Sequence, residues 1–198
     1  MPTAVLASVL PEFPPTARKV WTRPDCEALA DIEWFQSQKL ELIEGELIQK
    51  LSKGPLHSLT ISVLLEWLLA VFGARFVQQE RSIDVSPEDN PTSQPEPDLV
   101  VLAKPYREYK TRHPGPEDFR LVIEVSHSSQ HLDLSTKARL YARAGILECW
   151  VADVRNQAIH VHRDPIRGRY ASVASYSGGE ILSPLAEPEA KLRVADIF

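Results

Sequence analysis

Two short apolar runs constrain this chain more than any other feature. Leu99-Val-Val-Leu-Ala103 is uninterrupted, and Phe119-Arg-Leu-Val-Ile-Glu-Val125 is broken only by Arg120 and Glu124. Runs of this length without polar alternation mark strands buried on both faces, as in the middle of a sheet covered by helices. The sequence supplies the covering helices. Residues 59–72 are a largely apolar stretch that carries Glu66, follows His57-Ser58 and stops at Gly73. At about 14 residues this stretch falls short of the ~20 that a membrane span needs, so a buried core helix is expected. A second helix is expected from Asp133, a possible N-cap, to Ala144, with Gly145 closing it.

The remaining segments read as follows. Pro24-Asp25 opens a short helix over 26–36, with Asp25 as a possible cap. Glu44-Gly45 lies between two apolar runs and resembles the Asp-Gly hairpin signal. A two-residue turn there pairs Ile43 with Glu46 and Glu41 with Ile48, which puts Glu41 and Glu46 on one face. Strands are expected over 75–85, 147–154 and 158–163. A last hairpin is expected between 169–176 and 180–182, through Ser177-Gly-Gly179. Residues 86–95 and 104–118 are polar, proline-containing loops. With no internal repeat, the expected organisation is a loose arm over 1–20 and a single domain over 21–198. The fold class is α+β, or mixed α/β, built around one sheet.

Composition narrows the setting. An apolar fraction of 43% is ordinary for a globular chain and too high for general disorder. Cys26 and Cys149 form neither a disulfide framework nor a zinc signature, which fits a reducing, cytoplasmic location. The start of the chain has no basic residues before Pro11, Pro14 and Pro15, so it makes a poor secretion signal. The net charge of −5 argues weakly against tight non-specific DNA binding, and it leaves room for a basic rim around an acidic site.

Asp98 stands at the mouth of one apolar strand, and Glu124 stands within the other. A carboxylate in such a strand is costly to bury without a partner. A divalent cation would serve, since hard oxygen ligands suit magnesium. The following helix offers Lys137, with Tyr141 one turn later on the same face. A lysine near a metal-bound phosphate could position or activate the attacking water and stabilise developing charge. An ordinary ion pair of Glu124 with Arg120, Arg139 or Lys137 accounts for the same residues.

The order of motifs extends well beyond those three positions. Pro97-Asp98 is followed by Leu-Val-Ile-Glu124-Val, then by Asp133-x-x-x-Lys137-x-x-x-Tyr141-Ala-x-x-Gly145-Ile-x-Glu148-x-Trp150-Val-x-Asp153. Glu41-Leu-Ile-Glu-Gly-Glu46, His57-Ser58, Pro95-Glu-Pro-Asp98 and the closing Val194-x-Asp-Ile-Phe198 complete the series. No single motif is specific. Their joint order resembles the Uma-two (Uma2) family of restriction-endonuclease-like proteins, within the PD-(D/E)XK nuclease superfamily.

The resemblance implies a restriction-endonuclease-like core, a mixed sheet flanked by helices. It implies that Asp98 and Glu124, with the Val125 carbonyl, bind a catalytic Mg²⁺ that Mn²⁺ can replace, and that a metal-activated water hydrolyses phosphodiester bonds in DNA. It implies a homodimer with no membrane partner and no organic cofactor. Glu41 resembles a further family glutamate that completes the acidic cluster. One departure stands out. The superfamily's lysine two residues beyond the acidic residue is replaced by Ser126, and Lys137 on the helix takes its role.

Several other residues admit two readings. His57 matches a family histidine that could touch metal or substrate, or could simply bond backbone at a helix start. Glu46 and Glu44 are weaker acidic candidates. Gln79 could point at the site or form a cross-strand polar pair, and Tyr141 could meet substrate or pack. Trp67, Trp150 and Asp153 read as structural, and His127 and His131 as loop residues. Arg107, Lys110, Arg112 and His113 gather with Tyr106 and Tyr109 in one loop, a mixture that could grip a phosphate backbone or be plainly solvated. Two alternatives to the endonuclease remain: a catalytically silent nuclease-fold protein that binds nucleic acid or a protein partner, and a hydrolase of small phosphate esters.

Overall fold

A computed structural model describes residues 18–50, 54–126 and 136–198. Most of the expected arm, together with His127, His131 and Asp133, lies outside the described residues.

The two apolar runs form adjacent central strands of a six-stranded mixed sheet. In chain order its strands are β3 (Val77–Gln79), β4 (Leu99–Leu102), β5 (Phe119–Ser126), β6 (Glu148–Asp153), β7 (Ala158–Ile166) and β8 (Arg169–Ser177), and they lie in that order across the sheet. The β5–β6 pair is parallel and every other pair is antiparallel. A parallel pair needs a crossover, and α4 (Ala138–Ala144) lies on it.

Strand alternation sorts side chains between two layers. Leu99, Val101, Leu121, Ile123, Val125 and Trp150 pack with Ile61, Leu64, Leu68 and Phe72 of α3 (Pro55–Phe72). Val100, Leu102, Val122, Cys149 and Val151 face the other way, toward Tyr141 of α4. All six strand residues of the first layer are at most 3% exposed, the signature of two-sided burial. By length and hydropathy alone α3 could cross a membrane. Here it serves as the sheet's covering helix, with Leu56 and Leu59 left exposed at its start.

A hairpin of β1 (Leu40–Ile43) and β2 (Glu46–Gln49) has the expected register, Ile43 opposite Glu46 and Glu41 opposite Ile48. Glu44 and Gly45 both have positive φ, 49° and 81°, as a type I′ turn requires. The hairpin docks along residues 92–96: Gln94 N–H donates to the Leu42 carbonyl, Gly45 N–H to the Thr92 carbonyl and Glu44 N–H to the Ser93 hydroxyl. Ile43 meets Leu140 of α4 in a small cluster of their own with Val85.

Four expectations need correction. The helix over 26–36 is two pieces, α1 (Arg23–Leu29) and α2 (Glu33–Gln36). Thr22, not Asp25, is the cap of α1, with Asp25 returning a bond to the Thr22 backbone in a capping box. The strand over 75–85 ends at Gln79, because Glu80 adopts φ 45° and leaves the sheet. The last hairpin forms differently: β8 pairs with β7, while β9 (Ile181–Leu182) pairs with β10 (Leu192–Arg193). Turn residues mark where a chain reverses, but they do not choose which strand it pairs with.

Gly45 carries two demands at once. Its φ of 81° is a region L side chains rarely adopt, and a Cβ there would lie 2.5 Å from Val20 Cγ1. Gly45→Ala is expected to cost about 1–3 kcal/mol of folding free energy. Urea unfolding followed by circular dichroism measures this, and an unchanged midpoint would show that the turn and Val20 adapt without strain.

Candidate active site

Alternation carries Asp98 and Glu124 to the α4 side of the sheet. Glu124 shares its face with Val122, and the β4–β5 register, continued one step beyond Leu99 opposite Ile123, brings Asp98 opposite Glu124. The Asp98 carboxylate accepts the Val125 backbone N–H through Oδ2 at 2.8 Å. That bond fixes the rotamer of Asp98 against the strand that carries Glu124.

Glu124 is 3% exposed, and its Oε1 accepts two hydrogen bonds from one helix face, from Lys137 Nζ at 3.1 Å and Tyr141 Oη at 2.6 Å. Lys137 sits at the N-terminal boundary of α4, and residues 136–137 form a π-helical turn before the regular helix. The spacing of four to Tyr141 puts both groups over the same strand residue. The Lys137 ammonium also lies 2.9 Å from Glu41 Oε1. That same oxygen accepts the Glu96 backbone N–H at 2.6 Å. Glu41 thus reaches the site from the hairpin and is held by Pro95-Glu-Pro97, the segment leading to Asp98.

His57, in the first turn of α3, approaches from the opposite layer. Its Nε2 lies 2.8 Å from the Val125 carbonyl and 3.9 Å from Asp98 Oδ2. A carbonyl can only accept, so Nε2 carries the proton in that bond. Tyr141 is fully buried, and desolvation, followed by the Glu124 and Glu41 charges, pushes its phenol well above the ordinary range. It stays protonated and acts as a donor.

The structure therefore brings together Asp98, Glu124, Lys137, Glu41 and the Val125 carbonyl, with His57 and Tyr141. It separates others. Glu46 points to the solvent and lies 3.8 Å from Arg18. Glu44 pairs with Arg143 at 2.6 Å on the surface. Gln79 is opposite Leu99, on the α3 face, so its neighbour Gln78, opposite Val100, is the one on the site's face. Arg120 reaches the Ala103 carbonyl and stacks on Phe76, and Arg139 is exposed. Glu148 faces the α3 layer, where it binds Arg163, the Trp150 indole and the Leu185 N–H. Asp153 caps a turn through Asn156, and Trp67 stacks on Trp150 at 6.2 Å in the core.

Two further residues lie at the candidate site, Ser126 and, through its backbone N–H to Glu41, Glu96; the sequence marks their positions but not these contacts. Ser126 shares the Glu124 face, and its hydroxyl is buried with no hydrogen-bond partner among the described residues. Such an oxygen calls for a water or ligand. The donor set is all oxygen: two facing carboxylates, the Val125 carbonyl and this hydroxyl nearby. That chemistry fits a hard divalent cation, since magnesium uses one or two carboxylates and keeps several waters. Among the described residues no group of three or more His, Cys, Asp or Glu side chains is arranged to hold an ion. A cation here would therefore complete its shell with the carbonyl and water.

A mixed sheet with an acidic cluster at the facing ends of two central strands, covered by a helix bearing a lysine, defines a nuclease-like fold. A family model described as "putative restriction endonuclease" matches residues 26–195, and the chain belongs to that family, Uma2. It is also similar to a crystal structure of a "putative nuclease" from Anabaena variabilis ATCC 29413, with a TM-score of 0.63 at 17% identity. The alignment covers 80% of this chain and 89% of that one, and at this identity the likeness speaks to the fold. A search of curated proteins finds no match.

Removing the shared ammonium should expose the cost of burying its partners. Lys137→Met is expected to lower stability by about 3–5 kcal/mol in EDTA, because two buried carboxylates lose their common counter-ion. Glu41→Gln keeps the Lys137–Glu124 pair and is expected to cost less. Denaturant melts compare the two directly, and a Lys137→Met protein as stable as the parent would mean that the ammonium does not hold the cluster together.

Proposed function

We propose that the protein is a metal-dependent endonuclease that hydrolyses phosphodiester bonds in DNA, acting in the cytoplasm as a homodimer. The supporting observation is the convergence of Asp98, Glu124, Glu41 and Lys137 from four separate chain segments onto one buried spot, in a member of a restriction-endonuclease family. A two-fold assembly suits a substrate with two antiparallel strands.

In this reading Asp98, Glu124 and the Val125 carbonyl hold Mg²⁺, or Mn²⁺ in its place. The cation, when bound, supplies Lewis acidity toward the phosphate and makes water easier to deprotonate. The chain's own groups do the rest. Asp98 is oriented by the Val125 N–H, and His57 donates to the carbonyl of the same residue. Tyr141, locked in its protonated form, donates to Glu124 and fixes the carboxylate's direction. Lys137, only 2% exposed, brings a positive charge into a largely buried site, where it counts for more against a developing phosphate charge than it would in water. Glu41 holds that ammonium in place from the other side.

A second reading has its own observation. The Lys137 ammonium is engaged by two carboxylates, and Glu124 Oε1 by two donors, which also describes a structural ion cluster in a silent nuclease fold that only binds a partner.

Cleavage decides between them. Supercoiled plasmid incubated with purified protein and Mg²⁺ or Mn²⁺ should be nicked or linearised, and EDTA should stop it. Asp98→Asn, Glu124→Gln and Lys137→Ala should each reduce the rate at least ~100-fold, the usual loss for one charge-stabilising group, with the folded circular dichroism spectrum retained. Cutting that survives all three substitutions would remove this site from the reaction, and no cutting of DNA or RNA by the parent protein would favour the silent fold.

A further inference from the structure

A cleft of about 790 Å³ opens between residues 80–82 and the loop over 106–113. Arg81, Arg107, Lys110 and Arg112 line it, against Glu80 as its one lining carboxylate. That local excess of positive charge stands out in a chain whose net charge is −5. The loop that carries most of it is built rather than merely solvated. Asp118 is 4% exposed and accepts from Arg112 at 2.6 Å, the Gly115 N–H at 2.9 Å and the Tyr109 hydroxyl at 3.2 Å. Arg112 lies over the Tyr109 ring at 5.0 Å. Its charge is thus committed to the scaffold.

Arg107 and Lys110 are not committed: they are exposed and make no ion pair among the described residues. Arg81 is half-buried and donates to the Tyr109 carbonyl at 3.2 Å, and its Nε is buried without a hydrogen-bond partner among the described residues. Tyr106 presents a ring that is 37% exposed on the same wall. Free guanidinium and ammonium groups beside an exposed aromatic ring match a charged chain of stackable units.

One wall of the cleft is hydrogen-bonded to the segment that leads into the candidate active site. Glu80 N–H donates to the Asp98 carbonyl, Ile83 N–H to the Pro95 carbonyl, and the Ser82 hydroxyl to the Glu96 carboxylate. The wall carrying Arg81 therefore runs along the segment that presents Asp98 and holds Glu41.

We propose that this cleft holds the sugar–phosphate backbone of the DNA beside the scissile bond, with Arg81, Arg107 and Lys110 on phosphates and Tyr106 against a base. The proposal rests on the nuclease reading for its substrate, but binding tests it separately from cutting.

The test measures fluorescence anisotropy of a labelled DNA duplex in EDTA over a series of KCl concentrations, followed by cleavage kinetics with Mn²⁺. Arg107→Ala/Lys110→Ala is compared with Arg155→Ala/Arg169→Ala, which removes the same charge from exposed positions elsewhere. The groove pair should lower the slope of log Kobs against log salt by about 2, roughly one for each phosphate that is no longer neutralised. It should also raise KM with kcat unchanged, while the control pair stays near the parent. Equal slopes for the groove pair and the parent, an equal drop in the control pair, or no DNA binding by the parent would each overturn the cleft. Groove-dependent binding without any cleavage would uphold the cleft and overturn the nuclease reading.

Discussion

Everything around the site follows from placing a carboxylate in a strand that is covered on both faces. Glu124 is 3% exposed, and an ion largely stripped of water costs several kcal/mol even after the protein relaxes. The Lys137 ammonium and the Tyr141 hydroxyl offset that cost, and they can do so only if α4 lies over β5 with that face down. The parallel β5–β6 pair supplies the geometry, because its crossover must return over the sheet and α4 lies on that path. Sheet order, helix position and the site's charges are thus one solution to one problem. The dryness that makes Glu124 expensive also lets each charge beside it act in a low effective dielectric.

Much of this is legible in residue order alone, for a definite reason. Buried strands and helix stops are local signals, so β4, β5, α3 and the Gly145 stop of α4 are visible, and the Glu44-Gly45 turn sets the register that puts Glu41 on the inward face. The last hairpin shows where that local reading chooses wrongly: β8 pairs with β7 across the two-residue Arg167-Gly168 turn, both at positive φ, and not with 180–182 across Ser177-Gly-Gly179. Gln79, open in sequence between facing the site and a cross-strand pair, lies on the α3 face. Side chains alternate with a period of two, so it is its neighbour Gln78 that shares the site's face. The roles of the Glu96 N–H and the Ser126 hydroxyl depend on packing that has no signature in composition.

The displaced lysine has a simple physical reading. Position 126 lies on the same face as Glu124, two residues along the strand, where the resemblance to the PD-(D/E)XK superfamily implies a lysine. A serine stands there, and the ammonium arrives from the helix layer above the same face. The charge at the carboxylate is equivalent, but its anchorage is different. A strand lysine is held by the sheet alone, whereas Lys137 is clamped between the hairpin glutamate and the strand glutamate. The position of the hairpin, and hence the conformation of Gly45, thereby becomes part of how the cluster is assembled.

The net charge is the one sequence observation that speaks against a polyanionic substrate, and distances remove most of its force. At physiological ionic strength charges are screened over about 8 Å, so a phosphate senses its immediate surroundings and not the sum over the chain. The acidic excess is spread over the whole molecule, whereas Arg81, Arg107 and Lys110 share one cleft. An acidic catalytic cluster repels a phosphate backbone unless something nearby offsets it. The exposed Arg107 and Lys110 in the cleft supply positive charge toward that offset. The loop over 104–118, which composition alone leaves between a grip and a solvated turn, is ordered by a buried aspartate that holds one arginine and leaves the neighbouring cations to face outward.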